Sequence, residues 1–353
     1  MKPYHPPKLP VKIDLGLLAK EIEEASFELG KLDGLHRNLP NPSLLIAPLT
    51  TKEATVSSKI EGTKSTVADV FLHESGEKTK YPDIIEVTNY RKAMIWSMEA
   101  LKERRFNLSF IKELHSILLE GVRGHSKRGE FRKEQVFIGK EGVTIEQATY
   151  IPPESILIPE YMENLEKYIL SNGENYLVKV ALIHYQFEAI HPFADGNGRI
   201  GRLIIPLFLH HKGLLYQPIL YLSGYFEKYR EKYINSLHYV DKTQKYEEWI
   251  KFFLVSVKEQ AKQTQALIQK ITDLAREVQE KTETVKSPYI AKLISFIFRK
   301  PIFNTRELTN SIKANRVTSL RLIHKLVGLG ILTPFRPPKK RGLFVFNDLL
   351  RLL

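Results

Sequence analysis

Residues 191–202 read HPFADGNGRIGR. Twelve positions carry one His, one Asp, one Asn, three Gly and two Arg, with a single aromatic. No hydrophobic core is built from such a composition. Upstream, 177–190 places Val180, Ile183, Phe187 and Ile190 on one stripe, which predicts a helix running into this stretch. Downstream, about 198–215 predicts a second apolar helix, bent by Pro206, which removes one N–H. The polar residues thus fall in a loop between two helices, and the second helix begins inside them.

That position determines their chemistry. The first N–H groups of a helix have no intrahelical partner, and the helix dipole adds partial positive charge there. Gly196 and Gly198 let the main chain close on a ligand without Cβ clashes. With the backbone of Asn197 they form an anion site of the kind phosphate occupies. Arg199 and Arg202 lie three apart, on one helix face, and two guanidinium forks suit a polyphosphate. Asp195 is acidic in a positive nest, and its natural partner is a divalent cation, Mg²⁺, carried by that polyphosphate. His191, at the end of the first helix, is a candidate general base toward a hydroxyl. The residues together imply transfer of a phosphorus-centred group from a nucleotide–Mg²⁺ complex to a hydroxyl. The chain holds no GxxxxGK[ST] and no GxGxxG, so P-loop and Rossmann chemistry do not compete.

Working outward, residues 1–13 are Pro-rich and extended. A helix is predicted from Asp14 as N-cap through Leu15, Leu18, Ile22, Ala25, Leu29 and Leu32. After the turn NLPNPS, Thr51–Ile60 is predicted helical with Gly62 as its stop, and Thr66 with Asp69 opens the next helix. Residues 84–121 read mostly helical, with Ile111, Leu114, Ile117 and Leu118 on one face. QVFIGKEGVTIEQATYIPP (135–153) reads as a short hairpin or flap, with Gly139 and Gly142 near its turn. Helices are predicted again at 161–170 and from Tyr246 to about Lys281, and KTETVKSP (281–288) is the best domain boundary.

The chain of 353 residues is 43% hydrophobic, enough for two or three domains with their own cores. It contains no Cys, which excludes disulfides and thiolate metal sites and suits a cytoplasmic protein. The N-terminus MKPYHPPKLP lacks a signal-peptide core, and no run of about 18 apolar residues predicts a membrane helix. Net charge is +13, but from Ser287 onward there are 13 Lys and Arg against two acids, an excess of +11. The preceding 286 residues carry only +2, so polyanion binding is a question about the tail.

At these residues the chain resembles the Fic family. His191, Phe193, Asp195, Gly196, Asn197, Gly198, Arg199 and Arg202 match every defined position of its signature, HxFx(D/E)GNGRxxR. The resemblance implies a protein adenylyltransferase that moves AMP from ATP to a Tyr, Thr or Ser hydroxyl of a target protein or of itself, with pyrophosphate leaving. In that reading His191 is the base and Asp195 holds Mg²⁺ bridging the α- and β-phosphates. Asn197 and the loop amides of Gly196 and Gly198 stabilise the transferring phosphoryl oxygens, and Arg199 and Arg202 bind the β- and γ-phosphates. Doc-type kinases of the family replace the last Gly of GNG by Lys, so Gly198 implies AMP transfer.

The likeness extends to LPNPSLLIAPL and KEATVSSKIEGT, where Ser57, Glu61 and Gly62 match the family's inhibitory motif (S/T)xxxE(G/N). It implies that Glu61 pairs with Arg202 and displaces the ATP γ-phosphate from a productive pose. It places the target-binding flap at about 143–150, with Gln147 to Tyr150 near the nucleotide. It also sets YREKYINSLHYV (229–240) at the adenine, with Tyr233 as the contact; Ile234 stands where the family often has a second tyrosine.

Residues 303–346 read as helix, turn, helix and short hairpin, similar to a winged helix. Thr305 is the predicted N-cap, with Leu308 and Ile312 inward. Val317, Leu320, Ile323, Leu326 and Val327 form the second helix's apolar face, and Lys339, Lys340 and Arg341 the wing tip. Arg316, Arg321 and Lys325 make DNA a candidate partner through residues 287–353. The expected fold is mainly α: a Fic-type helical bundle with a small β-hairpin flap and a C-terminal winged helix-turn-helix. The expected domains are an inhibitory segment (1–80), a catalytic core (81–245), helices and linker (246–286) and the winged helix (287–353). The family implies a homodimer; no membrane is expected. Two other readings stand: a DNA-binding regulator whose Fic domain senses nucleotide, and a de-AMPylase in which Glu61 orients water.

Overall fold

A computed structural model of the chain describes residues 2–39, 41–78, 81–122, 127–139, 142–335 and 342–353. Lys339, Lys340 and Arg341 of the expected wing tip lie outside the described residues. Helices in chain order are α1 (Ala19–Arg37), α2 (Ser43–Ile60), α3 (Val67–Glu74), α4 (Ile84–Ala100), α5 (Leu108–Leu118), α6 (Ile158–Leu170), α7 (Tyr176–Ile190) and α8 (Asn197–His211). They continue as α9 (Ser223–Lys228), α10 (Arg230–Thr243), α11 (Glu247–Thr282), α12 (Ile290–Arg299), α13 (Thr305–Ile312), α14 (Arg316–Gly328) and α15 (Asn347–Leu352). Three short strands, β1 (Ile302–Asn304), β2 (Thr333–Phe335) and β3 (Leu343–Val345), form one antiparallel sheet in the order β1-β3-β2. The fold is mainly helical, as expected. No described helix is long and apolar enough to cross a membrane.

The chain divides into two compact units, Met1–Asp33 with Asn89–Lys262, and Gly34–Thr88 with Gln263–Leu353. In the first, α7 is buried nearly all round, which marks a central helix rather than a surface one. It packs on α6 and α8, and α5 packs on both α6 and α8. Gly201 allows the close α7–α8 approach: a Cβ there would stand 2.2 Å from Glu188 Oε1 on α7. Pro206 lies within α8, as read from the sequence. The Pro-rich arm is extended, tied down by the amide and carbonyl of Leu9 on the Asn164 carboxamide and by Tyr4 N–H donating to Ile151 O.

In the second unit α2 packs on α12 and α3, and Phe71 of α3 joins Ile302 and Val345 in one apolar cluster. Asparagine and threonine caps set several starts: Thr66 and Asp69 form the expected capping box of α3. β1, α13, α14, β2 and β3 follow the expected order of helix, turn, helix and strand pair, with Phe344 of β3 opposite both Phe303 and Pro334.

Several local expectations are corrected. Asp14 caps a 3₁₀ turn, Leu15–Leu18, and α1 begins only at Ala19. The helix expected at 51–60 starts at Ser43 and contains Pro48, because its burial of Leu44, Leu45 and Leu49 outweighs one missing N–H. Asn304, not Thr305, caps α13, in a reciprocal box with Glu307. On α14 the core side is Ser319, Leu322, Ile323 and Leu326, while Val317 is 78% exposed. Among the described residues the two arms of the flap pair through one antiparallel bridge, Ile138 to Tyr150, with a 3₁₀ turn at Ile145–Gln147, and no extended strand pair forms.

Candidate active site

The polypeptide leaves α7 at His191 in the left-handed conformation, φ 50° and ψ 61°. A non-glycine residue there is strained by about 1–2 kcal/mol, so something must hold it. Its amide donates to Phe187 O at 3.0 Å, and its carbonyl accepts from Arg132 Nε at 2.8 Å. The turn thus sets His191 at the junction of α7 and the following loop.

The loop is braced from inside. Phe193 is buried, and the Asn197 carboxamide closes on its backbone: Oδ1 accepts from Phe193 N–H at 2.9 Å and Nδ2 donates to Phe193 O at 2.8 Å. The side chain of Asn197, expected at a phosphoryl oxygen, is therefore engaged in shaping the loop, and its backbone N–H is what it can offer a ligand. His115 of α5 lies flat on the other side of Phe193. Its Nδ1 accepts from Gly129 N–H at 2.8 Å, so the ring proton is on Nε2, which donates to Asp195 O at 3.1 Å. Gly196, the N-cap of α8, has φ 77°, a conformation that favours glycine.

From this cap, α8 presents its first N–H groups at the loop. Arg199 and Arg202 follow on one face, 2% and 3% exposed. Two guanidinium ions this deep beside a positive helix end concentrate positive potential, which favours a multivalent anion. Asp195 is half-exposed; its Oδ1 accepts from Gly196 N–H at 2.5 Å and lies 3.5 Å from Arg199 Nη2. Among the described residues no cluster of three or more His, Asp or Glu could cage a metal. A cation at Asp195 would complete its shell with phosphate oxygens, a donor set that suits Mg²⁺.

The structure brings His191, Asp195, Gly196, Asn197, Gly198, Arg199 and Arg202 together in one turn and helix start. The other expected site residues have different settings. Gln147 is exposed at the end of the 3₁₀ turn. Tyr150 is buried, and its hydroxyl donates to Ala189 O at 2.7 Å, so it anchors the flap to the end of α7. Tyr233, expected at the base, is a core aromatic: its ring stacks on Phe226 at 4.4 Å and its hydroxyl donates to His184 Nε2 at 2.8 Å. His184 in turn donates from Nδ1 to Gly201 O at 3.0 Å, and burial lowers its pKa to about 3, which keeps it neutral. Ser57 is buried in α2, Glu61 is that helix's exposed C-cap, and Gly62 follows with φ 99°, all in the second unit.

Three supporting residues escaped the sequence reading. His115 interrupts the apolar face Ile111, Leu114 and Leu118, and a lone polar residue on a core stripe was its signal. Gly201 and Arg132 carry no local signal, because their partners lie on other segments.

A strained histidine at a helix end, a glycine-capped helix start and two buried arginines stand together on a helical scaffold, an arrangement whose charge and helix-start amides suit a multivalent anion. The chain belongs to the Fic/DOC family: the family's N-terminal model matches residues 19–99 and its Fic model 105–209, together more than half of the chain. It is 28% identical over 196 residues to a probable protein adenylyltransferase of Aquifex aeolicus (strain VF5), covering 54% of each chain. It is 33% identical over 139 residues to the protein adenylyltransferase Fic of Drosophila mojavensis, covering 38% of this chain and 25% of the relative. The match thus spans about half the length of the first relative and a quarter of the second. In fold it resembles a Fic family protein from Desulfovibrio desulfuricans G20, with TM-score 0.59 and 18% identity over 97% of this chain and 98% of that one. It also resembles a Fic domain containing signaling protein from Bacteroides thetaiotaomicron VPI-5482, with TM-score 0.54 and 21% identity over 72% of this chain and 97% of that one.

Proposed function

We propose that this chain is a protein adenylyltransferase using ATP. The observation that carries the reading is the pairing of His191, held in its left-handed turn, with the anion site at Gly196–Arg202. His191 accepts the proton of a target Tyr, Thr or Ser hydroxyl. The hydroxyl oxygen attacks the α-phosphorus in line, the bond to the β-phosphate oxygen breaks, and pyrophosphate leaves. The loop amides stabilise charge on the transferring group, and Arg199 and Arg202 hold the β- and γ-phosphates. Asp195 would hold Mg²⁺, which when bound neutralises polyphosphate charge.

The inhibitory role of Glu61 is part of the proposal and rests on the Ser57, Glu61, Gly62 motif. A carboxylate competes with a phosphate oxygen for a guanidinium. The test is labelling of the full chain with radioactive ATP in a cell lysate. Glu61→Gly should raise labelling and His191→Ala should abolish it in either background. Equally weak labelling of wild type and Glu61→Gly would remove the inhibitory role, and labelling that survives His191→Ala would remove the mechanism.

A second activity is supported by α14, whose Arg316, Val317, Arg321, His324 and Lys325 are all exposed. We read this face, with the basic excess of the tail, as a winged helix that meets duplex DNA. Salt-sensitive gel shifts lost in Arg316→Ala/Arg321→Ala test it.

A further inference from the structure

Arg132 sits where three parts of the first unit meet. Its side chain is almost wholly buried, 3% exposed. Nη1 donates to Glu134 O at 3.1 Å and Nη2 to Pro153 O at 2.6 Å, the two feet of the flap. Nε donates to His191 O at 2.8 Å, and Nη2 reaches Ile190 O more weakly at 3.5 Å. Its own backbone N–H donates to Pro192 O at 2.9 Å. No carboxylate among the described residues pairs with it. Burial lowers its pKa to about 10, which still leaves it charged at neutral pH.

A buried cation answered only by carbonyls is costly unless its geometry is well used. Here two of those carbonyls, Ile190 O and His191 O, stand at the negative end of α7, which favours a cation. Lysine could not substitute: its point charge lacks the planar fork that reaches separated acceptors at once. The flap neck is closed independently by Gln135 Nε2 donating to Pro152 O at 3.0 Å and by the Ile138–Tyr150 bridge. Closing the neck therefore does not require Arg132. Tyr150 ties the neck to Ala189 O inside α7, and among the described residues Arg132 carries the tie onward to the strained turn itself, at Ile190, His191 and Pro192.

We propose that Arg132 is a positioning residue that couples the flap to His191, so that a target docked on the flap is delivered to a correctly set imidazole. This rests on the adenylyl-transfer reading of the same site. None of its hydrogen bonds reaches Gly196–Arg202, so nucleotide binding is expected to survive its loss while turnover is not.

The test compares full-length wild type, Arg132→Lys and His191→Ala. Titration with a non-hydrolysable ATP analogue gives affinity, labelling with ATP gives rate, and amide hydrogen exchange reads residues 134–139, 148–153 and 190–193. In Arg132→Lys the analogue affinity should stay within about threefold, while the labelling rate falls about tenfold or more, since small misplacements of a reacting group carry losses of that order. Exchange in the flap feet and in the His191 turn should quicken together. Affinity falling in step with rate, or exchange quickening in only one segment or in neither, overturns the coupling. If neither wild type nor Glu61→Gly labels anything, the adenylyl-transfer reading fails, and the exchange result still decides whether Arg132 couples the segments. Should Arg132→Lys not fold, native-state exchange of wild type in rising denaturant replaces it. Joint opening of the flap feet and residues 190–193 supports the proposal, and separate opening overturns it.

Discussion

His115 and Phe193 lie face to face, their ring centroids 3.7 Å apart and their planes within 7°. The contact binds α5 to the loop between α7 and α8, and the imidazole's two nitrogens complete it through Gly129 and Asp195.

Replacing His115 by Leu keeps the volume and removes both hydrogen bonds. The Gly129 N–H and the Asp195 carbonyl then lose these partners, a loss of about 2–4 kcal/mol in stability. The freed loop should also lower labelling with ATP. Denaturant unfolding and the labelling assay check this; a variant as stable as wild type would show that water replaces the ring without penalty.

Gly196→Ala should act on the helix start itself. At φ 77° an alanine is strained by about 1–2 kcal/mol. Its Cβ would stand 3.3 Å from Leu118 Cδ2. Thermal unfolding should fall modestly while analogue affinity falls more, because the cap carries the anion site. Unchanged affinity would mean that phosphate does not use these amides.

The burial of His184 predicts an acid sensitivity. Its folded pKa near 3 lies below the ordinary 6.5. The unfolded chain therefore takes up a proton as pH falls through 6.5, and the folded chain does not until about 3. The stabilisation is complete above pH 6.5 and is lost on the way down, at up to about 1.4 kcal/mol per pH unit. His184→Asn, which can still donate to Gly201 O and accept from Tyr233, should flatten the difference in stability between pH 6.5 and 5 by about 2 kcal/mol. Parallel stability curves for the two proteins would contradict it.

Asp195 offers a test of the metal. Asp195→Asn removes the charge while keeping an acceptor for Gly196 N–H. Half-maximal labelling should then require about tenfold more Mg²⁺ or more, and chelation should stop labelling in wild type. A metal titration unaffected by the substitution would place the cation elsewhere.

The loop 191–202 was legible because its parts are local: helix periodicity on each side, a glycine where the backbone must turn, and arginines three apart. The capping box Thr66–Asp69 was legible for the same reason, though Asn304 took the place expected of its neighbour Thr305. What escaped depends on distance along the chain. Arg132 meets His191 across 59 residues and His115 meets Asp195 across 80, and neither pairing leaves a periodic trace. Tyr233 shows the converse limit: a tyrosine in a helix reads alike whether it faces a ligand or, as here, Phe226 and His184. Pro48 was hidden by the turn signal before it, while Thr50 and Thr51 hydroxyls bond the Ile46 and Ala47 carbonyls beside it within a continuous helix.

The flap is hydrogen-bonded at its feet and exposed at its crest, Thr144 to Gln147. Arg132, Gln135 and Tyr150 hold the base, whereas Thr144 to Gln147 stand exposed around one short turn. Substitutions at the crest are thereby insulated from the histidine turn. In the adenylyl-transfer reading proposed above, such a division separates the choice of acceptor from the reaction itself, and a library confined to 144–147 is the place to retarget this scaffold.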